Sequence, residues 1–557
     1  MRRFFVSQRA VVTRVADYLV DAVVALGVRH VFGVGGANIE DIYDAIHNAG
    51  DRITGVVAKH EFSAATMAEG YARSTNGIGV VAVTSGGGAM NVVAGLAESF
   101  TSKIPILALV GQAPTELEGR GAFQDSSGKA GSLDALALFR TVSRFAAKVT
   151  SAEMVSEVLA DAVTAAMSGG PAVLLLPKDI QQLPYAGRPF DPPQISQGYD
   201  EAALGMIAEE LSRAGSVVII AGEEVSRADA RAELALLAEA LGATVAVTAG
   251  GKDAYPTDGP GYCGVVGTMG NPKLAQAISA SEMCLVVGSR MPMTDRAGIA
   301  AALSHSRLGW ICSERPFVES AQSTYCGADD IRTALGKLAN AVDARPKVAA
   351  QRAPAPPQVP AVRGLGLRYQ EAVAELAAAL PPEADVFADA GNTGSAVVHH
   401  LPLTSTQRFV LALGMGGMGY SFGAGIGAAF ASGGSRRTFV IAGDGAFFMH
   451  GMEIHTAVEH RLPLTFVVFN NNSHAMCLTR EQLFYGDRYS FNRFRSTDLG
   501  TGLGVMFPGL PSWNARTIDE LRTALAHAED TDGPAFISVT CDPDEIPPFA
   551  PFLNKES

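Results

Sequence analysis

Two polar clusters, each directly behind a short apolar run, constrain this chain more than anything else in it. Thr438 to Ala442 (TFVIA) is followed by Gly443-Asp444-Gly445, and Leu464 to Phe469 (LTFVVF) by Asn470-Asn471, with 24 residues, 446–469, between the clusters. Apolar runs of this length read as buried strands, and Met452 to Glu459 between them reads as a helix. Strand, helix, strand is a crossover between parallel strands. Both polar ends therefore emerge on one sheet edge, the edge at which open α/β sheets bind ligands. Asp444 offers a carboxylate and Asn471 an amide carbonyl, hard oxygens of the kind Mg²⁺ takes when phosphate oxygens complete its octahedron. Gly443 and Gly445 let a phosphate approach the backbone closely.

Gly-Asp-Gly alone is a common turn. With this spacing, two flanking strands and a double Asn, it resembles the binding motif of thiamine diphosphate (ThDP) enzymes. The resemblance implies that Asp444, Asn471 and the backbone carbonyl of Ser473 hold Mg²⁺ and, through it, the cofactor's diphosphate.

At 557 residues the chain is too long for one core and has room for about three or four domains. With 48% hydrophobic and 18% charged residues it is an ordinary globular composition, which excludes a disordered chain. A net charge of −13 argues against a nucleic-acid partner. The six cysteines are scattered without a CxxC, so they read as reduced thiols of a cytoplasmic protein rather than disulfides or a zinc site. No run reaches the roughly 18 apolar residues of a membrane span. The start, MRRFFVSQ, carries a twin arginine, but Arg9, Arg14 and Asp17 interrupt what would be an export signal's apolar region, so it reads as an ordinary N-terminus.

Three blocks each alternate strand-like runs with amphipathic helical stretches, the α/β pattern. The first, 1–190, has strand candidates at 30–32, 53–58, 79–84, 106–110 and 172–176. The second, 195–345, has them at 217–221, 244–248 and 283–287, and a Pro/Ala-rich linker, 346–364, follows. The third, 365–557, has them at 386–388, 408–411, 438–442, 464–469 and 535–539. The expected fold is α/β, three doubly wound parallel-sheet domains, the layout of ThDP enzymes of the decarboxylase and acetolactate synthase type. The resemblance makes the first the pyrimidine-binding domain and the third the diphosphate-binding domain.

Lys59-His60-Glu61 follows the run 53–58 and opens a helix, Glu61 to Arg73 (EFSAATMAEGYAR). A Glu before an Ala-rich helix ending in GYAR is the pattern of this family's first domain. By resemblance Glu61 is the carboxyl group beside the cofactor's N1′, where burial favours proton sharing. Thr84 to Asn91 (TSGGGAMN) matches the family's TSGPGATN loop, with Gly87 in place of Pro. Its amides either face the cofactor or simply turn strand into helix. Gly414 to Tyr420 (GMGGMGY) resembles the family's GLGTMG segment. There the Gly416 carbonyl would accept from the 4′-amino group, and Met418 would wedge between the cofactor's rings. The implied cofactor contacts also take in Gly36, His474 and Met476.

The closest pattern is acetolactate synthase. Ala122 to Asp125 (AFQD) matches its AFQE loop, which places Phe123 and Gln124 on the substrate side. Ala475 to Ser490 (AMCLTREQLFYGDRYS) matches its GMVKQWQDLFYGGRYS segment. Two departures fall there: Arg480 stands for the Trp that shapes the acceptor pocket, and Leu478 for its Lys neighbour. Arg480 either pairs with an anionic acceptor or reaches solvent; His474 either carries a proton or caps the metal turn. The resemblance also allows FAD in the middle block, through Gly264 to Asn271 (GVVGTMGN) and Gly288-Ser289-Arg290. The family's acidic strand end for the adenosine is here Ile311-Cys312-Ser313-Glu314.

These residues imply a ThDP- and Mg²⁺-dependent carboligase, acting as a homodimer or homotetramer on a 2-keto acid, pyruvate first, and an acceptor carbonyl. The alternatives are a 2-hydroxy ketone lyase, a non-ligating decarboxylase, a flavin-linked pyruvate oxidase and, as a non-enzyme, a ThDP-binding scaffold or sensor. The acceptor and any regulatory subunit are not legible.

Overall fold

The computed structural model describes residues 13–195, 197–318, 320–345, 357, 359–360, 364–488 and 491–553. Most of the expected linker 346–364 lies outside these residues, as do Tyr489 and Ser490 and the first twelve residues. The chain separates into two compact units, Met1–Ile195 and Ser196–Ser557.

The first unit holds one sheet of six strands: β1 (His30–Val34), β2 (Thr54–Val57), β3 (Gly79–Val83), β4 (Ile106–Gln112), β5 (Phe145–Lys148) and β6 (Pro171–Pro177). Their order is β2-β1-β3-β4-β6-β5 and every pairing is parallel. The second unit holds two further sheets. One contains β7 (Val217–Ala221), β8 (Thr244–Val247), β9 (Tyr262–Val265), β10 (Met283–Val287), β11 (Leu308–Cys312) and β12 (Ser323–Gly327), ordered β12-β11-β10-β7-β8-β9. The other contains β13 (Asp385–Ala388), β14 (Arg408–Leu411), β15 (Thr438–Gly443), β16 (Leu464–Asn470), β17 (Ser512–Ala515) and β18 (Ala535–Thr540), ordered β14-β13-β15-β16-β18-β17. All pairs in both sheets are parallel as well. The chain is therefore α/β with three parallel six-stranded sheets, as its alternating pattern requires.

Every run read as a strand is one, and five strands were not read. Four of them, β5, β9, β12 and β17, are the outer strands of their sheets and are only partly buried. An edge strand needs no continuous apolar face, so its sequence carries a weak signal. The fifth, β11, is fully buried but has Gly309 in its middle, where a Cβ would lie 2.9 Å from the Met283 side chain. The crossover helix also differs from expectation. It opens at Asp444 itself, runs to His450, and passes through a short 3₁₀ turn, Gly451–Glu453, into Ile454–Glu459. An acidic residue in the first turn complements the helix dipole, so Asp444 is a helix start rather than a turn residue.

The helix Glu61–Thr75 closes on Asn76 in the left-handed region, φ 50°. It packs on the helix Val93–Thr101 across a buried polar patch. Glu69 accepts from Arg73 Nη2 (2.9 Å) and Ser99 Oγ (3.1 Å), and Glu98 accepts from Ser102 Oγ (2.9 Å). Burial pushes the Glu69 carboxyl up to about 7, with Arg73 opposing and Glu98 reinforcing the shift. A carboxyl raised in the folded state binds more protons folded than unfolded. The stability it contributes is present below its ordinary value of 4.5 and is lost as pH rises through about 7. Glu69→Gln mimics the protonated group, so the variant's urea-unfolding midpoint should fall less over that pH window than wild type's. Equal slopes would show that Glu69 does not titrate there.

Candidate active site

In the first unit, the carboxyl edge of the sheet gathers most of the residues singled out there. Glu61 is buried at the first turn of its helix, behind β2. His60 caps that helix, its Nδ1 accepting from Phe62 N at 3.0 Å. Asn91 donates from Nδ2 to Glu61 Oε2 at 2.9 Å. Gly88 lies so close that a Cβ there would stand 3.2 Å from Glu61 Oε1 and 3.0 Å from Thr84 Cγ2. Gly36 backs onto the same threonine, with 2.6 Å between an ideal Cβ and Thr84 Cβ. Thr84 Oγ1 donates to Gln124 Oε1 at 3.4 Å.

Gly86 has a real requirement for glycine: its φ is +63°, and a Cβ would meet Gln124 Cβ at 2.9 Å. Gln124 itself has φ 57°, a strained conformation for a non-glycine residue that over-determined sites retain. Glu61, Gly36, the 84–91 loop and Gln124 thus form one constellation. Phe123 next to it is 75% exposed. The sequence assigns Asn91 no role of its own; among the described residues it is the one hydrogen-bond donor to the Glu61 carboxyl group, and it takes Oε2 rather than Oε1.

In the second unit, Asp444, Asn471 and Ser473 are all buried, and Ser473 bonds to both of the others. Asp444 Oδ1 accepts from Gly445 N (3.0 Å) and Oδ2 from Ser473 N (3.2 Å). Asn471 Oδ1 accepts from Ser473 N (3.1 Å) and Ser473 Oγ (2.9 Å), while its Nδ2 donates to Tyr369 Oη (3.0 Å). That last bond decides which way the amide faces. Burial pushes the Asp444 carboxyl up to about 7 despite the backbone amides of Gly445, Asn472 and Ser473. Asn472 adopts φ 53°, turning the chain between Asn471 and Ser473.

Gly445 packs against both His474 and Met418: a Cβ there would lie 2.5 Å from His474 Cδ2 and 3.5 Å from Met418 Cε. His474 N donates to Asn492 O at 2.9 Å, and its ring meets Phe494 edge-on at 4.7 Å. Met418, Met476 and His474 are half-buried, and Gly416, φ +65°, is exposed with open space around it. The third sheet therefore brings Met418, Gly443 to Gly445, Asn471, Ser473 and His474 to one place. Leu478 is fully buried, so it backs the site from the core, whereas Arg480 is exposed with its guanidinium 5.9 Å from the Phe484 ring centroid.

Two further elements were not anticipated. Asp389, fully buried just behind β13, accepts from Gly419 N (2.9 Å), Ser421 N (2.9 Å), Ser421 Oγ (2.7 Å) and Ala390 N (3.0 Å). It ties down the segment that carries Met418. Behind it, the helix Asn392–His400 starts beside the Asp444 loop: Thr393 Oγ1 would be 3.5 Å from a Cβ on Gly443. The Asn392 Oδ1 atom is buried and has no hydrogen-bond partner among the described residues. Both were legible as polar residues directly behind a buried run, Val386-Phe387-Ala388.

A diphosphate fits this edge. A helix N-terminus is a ready anion site, glycines at 443 and 445 leave room for phosphate oxygens, and the hard oxygens of Asp444 and Asn471 suit an oxygen-ligated cation. The edge of the second sheet, by contrast, is already satisfied from within. Ser313 N and Oγ donate to Glu224 (3.0 and 2.5 Å), and Arg290 pairs with Glu314 at 2.5 Å and stacks on Phe317. A dinucleotide such as FAD would have to displace these carboxylates, so the residues present do not fit it.

Three family models match the chain: the thiamine pyrophosphate enzyme N-terminal TPP-binding domain over residues 13–132, the central domain over 204–307, and the C-terminal TPP-binding domain over 389–539. An acetolactate synthase of Arthrospira platensis is 29% identical, covering 98% of this chain and 97% of its own. A sulfoacetaldehyde acetyltransferase of Alcaligenes xylosoxydans xylosoxydans is 28% identical, over 88% of this chain and 87% of its own. An X-ray structure assigned to a thiamin diphosphate-dependent enzyme from Mycobacterium smegmatis superposes with a TM-score of 0.79 at 24% identity, covering 95% of this chain and 99% of the other.

Asp389→Ala should free the 414–419 segment. Hydrogen exchange of that segment should rise in the protein without cofactor, and ThDP affinity should fall about tenfold or more, four buried hydrogen bonds being lost. Unchanged exchange would mean that the segment holds its shape unaided.

Proposed function

We propose that this chain, which belongs to the thiamine pyrophosphate enzyme family and is acetolactate synthase-like, catalyses carboligation: a 2-keto acid, pyruvate first, loses CO₂ and its acyl group is joined to an acceptor carbonyl. ThDP is the cofactor the family brings, and when bound it supplies the acyl-carbanion chemistry. The observation that carries the reading is the Asp444–Asn471–Ser473 cluster with Gly445 against Met418 and His474, all on one sheet edge.

In this reading Asp444, Asn471 and the Ser473 carbonyl hold Mg²⁺ and the diphosphate beside Gly443 and Gly445. The Gly416 carbonyl would accept from the cofactor's amino group, and Met418 would pack against its rings. Glu61 shares a proton with N1′, its other carboxylate oxygen being occupied by Asn91. Gln124 and Phe123 face the substrate, with Gln124 held by Thr84. Arg480, exposed and paired with no carboxylate among the described residues, is placed to attract an acceptor that carries a negative charge. FAD is left out of the proposal, because Glu224 and Glu314 take up the donors it would use. The working form is a homodimer or homotetramer.

Purified protein given ThDP, Mg²⁺ and pyruvate should release CO₂ and form a chiral acyloin visible by circular dichroism. CO₂ with free acetaldehyde alone would replace this reading by a simple decarboxylase; no CO₂ from any 2-keto acid would remove decarboxylation altogether. Glu61→Gln should lower kcat by about 10²–10⁴-fold while ThDP still binds. Full turnover in that variant would exclude Glu61 from cofactor activation.

A further inference from the structure

Gln124 keeps a left-handed backbone, φ 57°, within a loop. A strained conformation of this kind persists only where its surroundings over-determine it. Thr84 Oγ1 meets the end of the Gln124 side chain at 3.4 Å, and Gly86 makes room beneath it. Neither contact fixes the Gln124 backbone; its C-terminal neighbours do. Asp125 closes the loop on itself, with Oδ2 accepting from Gly119 N (2.7 Å) and Oδ1 from Ser127 N (3.0 Å). Both donors belong to the same connection, 113–134, between β4 and the helix Ala135–Phe139. Asp125 therefore shapes the loop without attaching it to the sheet.

Ser126 makes that attachment. It is buried, its carbonyl accepts from Ala135 N at 3.0 Å, and its Oγ donates to Gln112 Oε1 at 3.1 Å. Gln112, only 1% exposed, is the last residue of β4. That strand is paired on both sides: Val110 lies beside Val83 of β3, and Gln112 itself beside Pro177 of β6. The end of a central strand is as rigid an anchor as the fold offers to a loop. The other end of the amide is unmet. Gln112 Nε2 is buried and has no hydrogen-bond partner among the described residues. A buried donor without an acceptor is destabilising, and an apolar side chain of similar size would avoid it. Stability alone thus gives no reason for an amide at this position. Its one bond goes to the segment that carries Gln124.

We propose that Gln112 is a positioning residue for the substrate side of the site: through Ser126 it holds the backbone that sets Gln124 over Gly86. The proposal rests on the reading above in which Gln124 faces the substrate. Two variants test it from opposite ends of the bond. Gln112→Met is close in size and lacks the unmet donor, so it should keep the Tm of wild type; Ser126→Ala removes the hydroxyl. With ThDP and Mg²⁺ saturating, each should raise KM for pyruvate about 3- to 10-fold, the loss of one buried hydrogen bond, and lower kcat much less. The double variant should be no worse than either single one, because both remove the same bond. ThDP affinity should stay that of wild type, since Glu61 and the 84–91 loop keep their own contacts. Backbone hydrogen exchange over 122–127 should rise in both variants without cofactor, a readout that needs no turnover. Effects that add in the double variant, a parallel loss of ThDP affinity, a KM equal to wild type's, or unchanged exchange would each overturn the proposal. If wild type does not turn over pyruvate, the functional reading fails by itself. Raised exchange would then still uphold the hold of Gln112 on this loop, and unchanged exchange would overturn it.

Discussion

The buried carboxylate of Asp444, gripped by backbone amides from two different strand ends, is the interaction on which the rest of the second unit's site turns. Its partners Gly445 and Ser473 belong to the segments behind β15 and β16, which pair in parallel along their whole length. Parallel pairing is what puts the two segments on one edge. Burial raises the proton affinity of this carboxyl group, while backbone amides oppose the shift. A buried carboxyl group perturbed in this way is a functional-site candidate, in keeping with the proposed role of Asp444 as a metal ligand.

Each side chain around it is placed by something further out. Tyr369, buried and packed on Phe469, turns the Asn471 amide, and Glu545 in turn accepts from the Tyr369 backbone N–H. Asp389 holds Gly419 and Ser421, and with them the position of Met418; His450 presses on Gly419 so closely that a Cβ there would lie 2.6 Å from its ring. His450 ends the very helix that Asp444 begins. One short rigid element thereby links the proposed metal ligand to the proposed ring wedge.

The first unit uses the same design with different chemistry. Glu61, a buried carboxylate at the sheet edge, is met by an amide donor, Asn91, and walled by glycines whose lack of a Cβ permits the approach. Gln124 sits in the left-handed region so that it can lie over Gly86 and meet Thr84. The loops at these edges hold irregular backbone because the central strands beneath them are fully buried.

Much of this was legible in the residues themselves. Apolar runs set the central strands, because a strand buried on both faces must be continuously apolar. The spacing of Gly-Asp-Gly and Asn-Asn placed two polar clusters on one edge, because a crossover allows no other outcome. The outer strands β5, β9, β12 and β17 left little trace, being half-exposed. What only the tertiary structure decided is which distant side chains meet: Asn91 with Glu61, Asp389 with Gly419, and Glu224 with Ser313. Local pattern sets where a polar residue leaves its strand. Which partner it finds depends on loops folding back over the sheet, and that is settled by packing between segments whose separation along the chain carries no periodic signal.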